Sequence, residues 1–144
     1  MLLGEHKHTL DTKKRLSLPS KFRKELGKTV VVTRGLDTCL FVYSVKEWKN
    51  FSEKLGGLSM GQSDTRAFNR FILGSAVEVD IDSAGRILIP DYLKEFALLD
   101  QKVIVAGLSN RVELWDEIRW NNYQSELVGQ AGVLAEKLGE IGMI

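Results

Sequence analysis

Asp11-Thr-Lys-Lys-Arg15-Leu-Ser-Leu-Pro19 returns in the same chain as Asp82-Ser-Ala-Gly-Arg86-Ile-Leu-Ile-Pro90. The Asp, the Arg and the Pro each recur 71 positions on, and the chain's two prolines both stand at this place. Self-similarity within a chain governs its architecture, so it comes before any other reading. The match runs outward with a shift of 72: Val31-Val-Thr-Arg-Gly35-Leu36 against Val103-Ile-Val-Ala-Gly107-Leu108, Leu40-Phe-Val-Tyr43 against Val112-Glu-Leu-Trp115, and Trp48 against Trp120. An Asp-x-x-x-Arg pair used twice suits a symmetric binder better than a one-site enzyme.

Each copy reads as β–turn–β–α–β–turn–β. Arg15-Leu-Ser-Leu alternates apolar and polar residues, the pattern of a half-buried strand. Arg86-Ile-Leu-Ile is apolar after its Arg, which predicts a strand covered on both faces. Proline cannot donate to a ladder and ends both strands. Short helices follow over 20–26 and 91–97, with apolar residues three or four apart behind a Ser or Asp cap, and Gly27 ends the first. Val-rich strands come next, then turns over 35–39 and 107–111, then a last strand. Between the copies, 45–55 and 64–73 have helical spacing, the latter capped by Ser63 or Asp64 and stopped by Gly74. After Trp120 the spacing is helical but four glycines interrupt it, predicting a weak or partner-dependent helix.

The expected organisation is a first repeat over 5–48, a helical connector over 49–75, a second repeat over 76–120 and a helical tail over 121–144. A chain of 144 residues suits one compact domain or two very small ones. A four-strand repeat has little room for a core of its own, so the copies are expected to interlock and complete each other's sheet. The fold class is therefore mainly β with short helices (α+β), as one pseudo-two-fold β-barrel domain.

Hydrophobic content of 44% and charged content of 27% are ordinary for a globular protein. No apolar run approaches the ~20 residues of a membrane span. The opening Met-Leu-Leu-Gly-Glu-His-Lys-His has no secretory apolar core, and the lone Cys39 fits a reducing compartment. The net charge of +1 conceals an asymmetry: +5 over 1–48, +2 over 49–75, −4 over 76–120 and −2 over 121–144. A basic region on a near-neutral chain is the footprint of a polyanion partner.

The flanks of the Asp-x-x-x-Arg pair alternate as strands, so each pair brackets a tight hairpin turn rather than a helical turn. Asp11 and Asp82 are placed to accept the backbone N–H groups that follow them. Gly85 supplies a positive-φ position, and Lys14 occupies that place in the first copy, at some conformational cost or with a different turn. The Arg then opens the outgoing strand near the hairpin tip. A two-stranded ribbon fits the DNA major groove, where an Arg makes two hydrogen bonds to guanine. Arg15 and Arg86 are thus the candidate base readers. Lys13 and Lys14 are placed for phosphates, and Thr12 completes the DNA-contact set.

These residues carry a family resemblance. Leu-Gly-Glu-x-x-His-Thr-Leu-Asp11-x-Lys-x-Arg15, Thr33-Arg-Gly-Leu-Asp37-x-Cys-Leu, Asp64-x-Arg-Ala-Phe-x-Arg70, Asp82-x-x-Gly-Arg86 and Ser109-Asn-Arg-x-Glu-Leu-Trp115 occur in order. The chain from about Met1 to Trp120 resembles the MraZ family of bacterial transcriptional regulators, built from two swapped-hairpin repeats of the AbrB/SpoVT type. The resemblance implies interlocked hairpins and assembly of chains into closed rings. It implies binding to tandem short boxes upstream of a division and cell-wall gene cluster. It also implies DNA contact by Arg15 and Arg86, and a cytoplasmic, nucleoid-associated location. The family's first motif usually reads Asp-x-Lys-Gly-Arg, and this chain has Lys14 in place of the Gly.

Other chemistries fit less well. Asp80-Ile-Asp82-Ser-Ala-Gly85 imitates an EF-hand start but has Ala84 at a ligand position and no bidentate Glu at the twelfth. His6 and His8 share a strand face without a third ligand. Cys39 has no neighbouring base in sequence. Trp48, Tyr43, Trp115 and Trp120 occupy equivalent places, as core residues would. No metal, no cofactor and no enzymatic activity are expected. The alternative to a DNA binder is a protein-interaction scaffold, suggested by the acidic second copy and the amphipathic tail.

Overall fold

The computed structural model describes residues 1–144. The elements run β1 (Leu2–Thr9), β2 (Arg15–Ser17), α1 (Ser20–Leu26), β3 (Thr29–Arg34), β4 (Leu40–Ser44), α2 (Val45–Gly56) and α3 (Ser63–Ile72). Then follow β5 (Val77–Asp80), β6 (Arg86–Leu88), α4 (Asp91–Phe96), β7 (Lys102–Ser109), β8 (Val112–Asp116) and α5 (Glu117–Glu140). The β-β-α-β-β-α order thus occurs twice, with α3 between the copies.

Six strands form an antiparallel sheet in the order β1-β7-β8-β4-β3-β5, and β2 and β6 form a separate two-stranded ribbon. The copies exchange their first strands. β1 pairs with β7 of the second copy over eight residues, and β5 pairs with β3 of the first. Equivalent residues meet at the middle of both sheets, Phe41 against Glu113 in one and Leu16 against Ile87 in the other. The ribbon ends are tied reciprocally: Leu18 N–H donates to the Gly85 carbonyl at 3.0 Å, and Ile89 N–H to the Lys14 carbonyl at 2.8 Å.

The sheet is α+β as expected but does not close into a barrel. β1 and β5 are its two edges and do not pair with each other. Closure would need the ribbon to continue both edges. The ribbon strands are only three residues long, and a single isolated bridge joins Leu10, just past β1, to Leu16 of β2. Pro19 and Pro90 prevent the ribbon from lengthening.

The ribbon, α1 and α4 cover one face of the sheet. They contribute Leu16, Leu18, Phe22, Leu26, Ile87, Ile89 and Leu93 to a core of 19 buried residues. The opposite face carries an aromatic cluster of Phe41, Tyr43, Trp115 and Trp120, with Trp48, Phe51 and Tyr123 packed against it from α2 and α5. Tyr43, Trp115 and Trp120 are buried core residues, and Trp48 is half-buried against them.

Four local expectations need correction. Neither Ser20 nor Asp91 caps a helix. Pro19 and Pro90 occupy the cap positions with extended ψ of 133° and 148°, and no side chain caps either helix. Proline's fixed φ turns the chain into the first helical residue without such a cap. Helix α3 likewise has Gln62 at its cap position, ahead of both expected caps, Ser63 and Asp64, which lie inside the helix. Gly107 lies inside β7, not in a turn, because there the backbone of β1 passes too close for any Cβ. Finally, β6 is not covered on both faces: Leu88 is 54% exposed, since nothing lies over the outer face of the ribbon. Helix α5 begins before Trp120 and continues through three internal glycines, although Trp120 is its one buried residue.

Candidate nucleic-acid interface

Both Asp-x-x-x-Arg hairpins fold to the same geometry. Asp11 Oδ1 accepts the amides of Lys13 at 2.8 Å and Arg15 at 2.9 Å, while Oδ2 accepts Arg15 Nε–H at 3.0 Å. Asp82 Oδ1 accepts the amides of Ala84 and Arg86, both at 2.9 Å, and Oδ2 accepts Arg86 Nε–H at 3.0 Å. The backbone closes identically, with Lys14 N–H to the Asp11 carbonyl at 3.0 Å and Gly85 N–H to the Asp82 carbonyl at 2.9 Å. This is the three-residue hairpin loop closed by a left-handed residue. Lys14 holds φ of +62° where Gly85 holds +79°. The first turn thus keeps its shape, at the ~1 kcal/mol or more that a left-handed side-chain-bearing residue costs.

The donors facing each Asp, the Arg amide first among them, hold both carboxyls below the ordinary value of 3.8. Both remain ionised at neutral pH and grip their Arg. Only Nε of each guanidinium is used, so the two terminal nitrogens are left for a partner. The side chains of Arg15 and Arg86 keep 33% and 32% of their surface exposed.

Ribbon register puts these arginines on one face. Arg15 lies opposite Leu88, and Ser17 lies opposite Arg86. Side chains alternate along a strand, so Arg15, Ser17, Arg86 and Leu88 share the outer face while Leu16 and Ile87 point into the core. Arg15 and Arg86 are diagonal neighbours across it, about 7–8 Å apart. Lys13 and Thr12 are exposed at the first hairpin tip. Lys14 instead pairs with the Asp91 carboxylate at the start of α4. Ser17 and Leu88 had no signal in the sequence beyond strand alternation, because the ribbon register was not legible there.

The strand exchange also redistributes charge. Arg23 of α1 reaches the turn at Gly85, whereas α4 reaches the turn at Lys14. The basic helix of the first copy (Lys21, Arg23, Lys24) therefore attends the hairpin of the acidic second copy. The acidic α4 start attends the basic first hairpin. The unequal charge of the repeats in sequence is evened out at the tips.

The decoys are accounted for elsewhere. Asp80 accepts the Thr29 hydroxyl at 2.8 Å, and no group of three or more His, Cys, Asp or Glu is placed to hold a metal ion. His6 packs edge-on to Phe22 at 5.1 Å. Burial and then the charges of His6 and Arg23 lower the protonation of His8. Cys39 is buried, and burial pushes its thiol far up, out of nucleophilic range. No helix is long and apolar enough to cross a membrane.

A family model described as "MraZ protein, putative antitoxin-like" matches residues 1–71 and again residues 72–135. The chain belongs to the MraZ family. The double match falls on the two copies seen in the sequence. Among MraZ relatives, the "Transcriptional regulator MraZ" of Caldanaerobacter subterraneus is 49% identical over 138 residues, 96% of each chain. That of a Thermoanaerobacter species is 47% identical over 143 residues, covering 99% of this chain and all of the relative. That of Acetivibrio thermocellus is 45% identical over the same length. Each of these MraZ relatives is named as a transcriptional regulator.

Proposed function

We propose that this chain regulates transcription by binding double-stranded DNA sequence-specifically through the outer face of the β2–β6 ribbon. The observation that carries this reading is the pair of arginines held alike by Asp11 and Asp82, with free terminal nitrogens, on one face of a two-stranded ribbon. A ribbon of this width enters the ~12 Å major groove, and each guanidinium fork can meet guanine O6 and N7. Arg15 and Arg86 read bases; Leu88 beside them offers an apolar contact to a thymine methyl. Lys13 and Thr12 meet phosphates, which fix position without reading sequence. Lys14, paired with Asp91, is the weakest of the proposed contacts.

Positions equivalent in the two copies face each other in both sheets, which supports a pseudo-two-fold relation between a first repeat (5–48) and a second (76–120). Arg15 and Arg86 are then expected to contribute alike. The targets are tandem short boxes upstream of a division and cell-wall gene cluster, in the nucleoid. Head-to-tail contact between chains would close a ring that sets several ribbons on neighbouring boxes, multiplying weak affinities. A second reading, a protein-interaction scaffold, is favoured by α5, whose Val128 is 78% exposed and whose Leu134 and Leu138 are also exposed, as is Ile141 just past its end.

The test is selection of bound duplexes from a random pool, then titration of the selected duplex across salt. Binding should weaken steeply with salt, as phosphate contacts require. Arg15→Ala and Arg86→Ala should each lower preference for the selected duplex by about 1–3 kcal/mol. Unchanged preference in both variants would overturn direct readout. No DNA retention at low salt, with capture of a protein partner through α5, would favour the scaffold.

A further inference from the structure

The two hairpin turns differ in what covers them from the opposite copy. At the second turn, a Cβ built on Gly85 would fall on the Arg23 guanidinium. Gly85 is buried even though its neighbours Ser83 and Ala84 are exposed. Arg23 Nε–H donates to the Leu18 carbonyl at 2.9 Å, and the Leu18 amide donates to the Gly85 carbonyl at 3.0 Å. One side chain of the first copy therefore ties off β2 and lies on the turn residue that immediately precedes Arg86.

The equivalent of Arg23, 71 positions on, is Lys94, and the equivalent of Gly85 is Lys14. Lys94 lies beside the first turn. It shares an open cleft of about 290 Å³ with Leu10, Asp11, Lys14 and Gln101. There the turn residue is held the other way round: Lys14 extends its own ammonium to Asp91 of the second copy. Asp91 has Ser20 as its equivalent, so the second turn has no carboxylate to call on.

We propose that Arg23 is a positioning residue for Arg86, and that a lysine at position 14 is admitted because Lys94, not Arg, stands over it. Each turn is clamped across the copies by one cation, supplied by the helix at the second turn and by the turn itself at the first. The turn residue and the helix residue are matched: Gly85 with Arg23, Lys14 with Lys94. An arginine at both helix positions would drive its guanidinium into the Lys14 Cβ. A glycine at both turns would leave Asp91 without its ion pair.

This rests on the reading of Arg15 and Arg86 as DNA contacts, and the experiment separates the two. The Nε–H signals of Arg15 and Arg86 in ¹⁵N-labelled full-length protein report each Asp–Arg grip without DNA. In Arg23→Ala the Arg86 signal should shift or broaden and the Arg15 signal should stay in place. The same variant should lose about tenfold in preference for a wild-type-selected duplex over its shuffled sequence, the scale of one misplaced Arg–guanine contact. Its salt slope should be unchanged. A slope reduced by about 1 with preference intact would make Arg23 a phosphate contact and overturn the proposal. An unmoved Arg86 signal would overturn it too. If the wild type prefers no duplex, the DNA reading fails while the Arg86 signal still decides the clamp. The matching has its own test. Lys94→Arg should lower the melting temperature in the wild-type background and raise it in Lys14→Gly; equal shifts in both backgrounds would refute it.

Discussion

Gly107→Ala and Gly129→Ala are the same chemical change with opposite expected outcomes. A Cβ at Gly107 would lie 2.6 Å from the Leu2 carbonyl carbon and the Leu3 nitrogen, and 2.9 Å from the Leu2 oxygen. Carbon contacts relax near 3.5–4.0 Å, so β1 would have to retreat by about 1 Å. The obstructing atoms are backbone and cannot rotate away. Overpacking of this kind costs about 1–3 kcal/mol. At roughly 2–4 °C per kcal/mol for chains near this size, the melting temperature should fall by about 2–12 °C. The damage should be local, because β1 is an edge strand whose one neighbour in the sheet is β7. Amide exchange should quicken along Leu2–Thr9 and the Asp11–Arg15 hairpin, while Val77–Asp80 at the opposite edge keeps its protection. Gly129 has no atom within 4 Å of its Cβ position and lies inside α5. Alanine there should add helicity and up to about 1 kcal/mol. Scanning calorimetry and residue-resolved exchange on the two variants decide the matter. A Gly107→Ala protein as stable as wild type, or exchange quickened equally at both edges, would refute the close approach of β1 to β7.

Other outcomes follow from the ribbon and the core. Leu16 is fully buried at the centre of the ribbon, so Leu16→Ala should cost about 2–5 kcal/mol in denaturant unfolding. Leu88→Ala, on the open face, should stay within about 0.5 kcal/mol. Asp11 and Asp82 have depressed carboxyl pKa values when folded, so their contribution is present above the ordinary value of 3.8 and is lost as pH falls through the depressed values. The Asp11→Asn/Asp82→Asn protein should therefore be less stable than wild type at neutral pH, with the gap in melting temperature closing in acid; a gap independent of pH would contradict the turn geometry. Cys39, with its thiol pushed up by burial and then by the charges of Glu113 and Asp37, should resist iodoacetamide at pH 8 until the protein is unfolded.

Strands, helices and turns were legible wherever their cause lay within a few residues. The Asp-x-x-x-Arg hairpin is one such case, because its hydrogen bonds all close within five positions. The twofold repeat was legible because it is a property of the letters themselves. Two features turn on which distant strand arrives alongside: Leu88 stays exposed on the open face of the ribbon, and Gly107 lies inside β7 against the backbone of β1. The caps of α1 and α4 differ for a local reason, since the proline before each helix already sets the turn into it.

The sequence alone determined two copies of one β-β-α-β-β unit, two Asp-x-x-x-Arg hairpin turns whose Asp accepts the following amides, and prolines that limit the ribbon beyond them. These follow from side-chain alternation, turn chemistry and proline's missing donor, all local. Only the tertiary structure decided which strands the interlocked copies trade, that the sheet stays open, and that Arg15 and Arg86 share one exposed face. It alone placed Arg23 over Gly85 and Lys14 against Asp91. Those facts depend on pairing between residues some seventy positions apart, where burial of a shared core selects one register that neither copy encodes by itself.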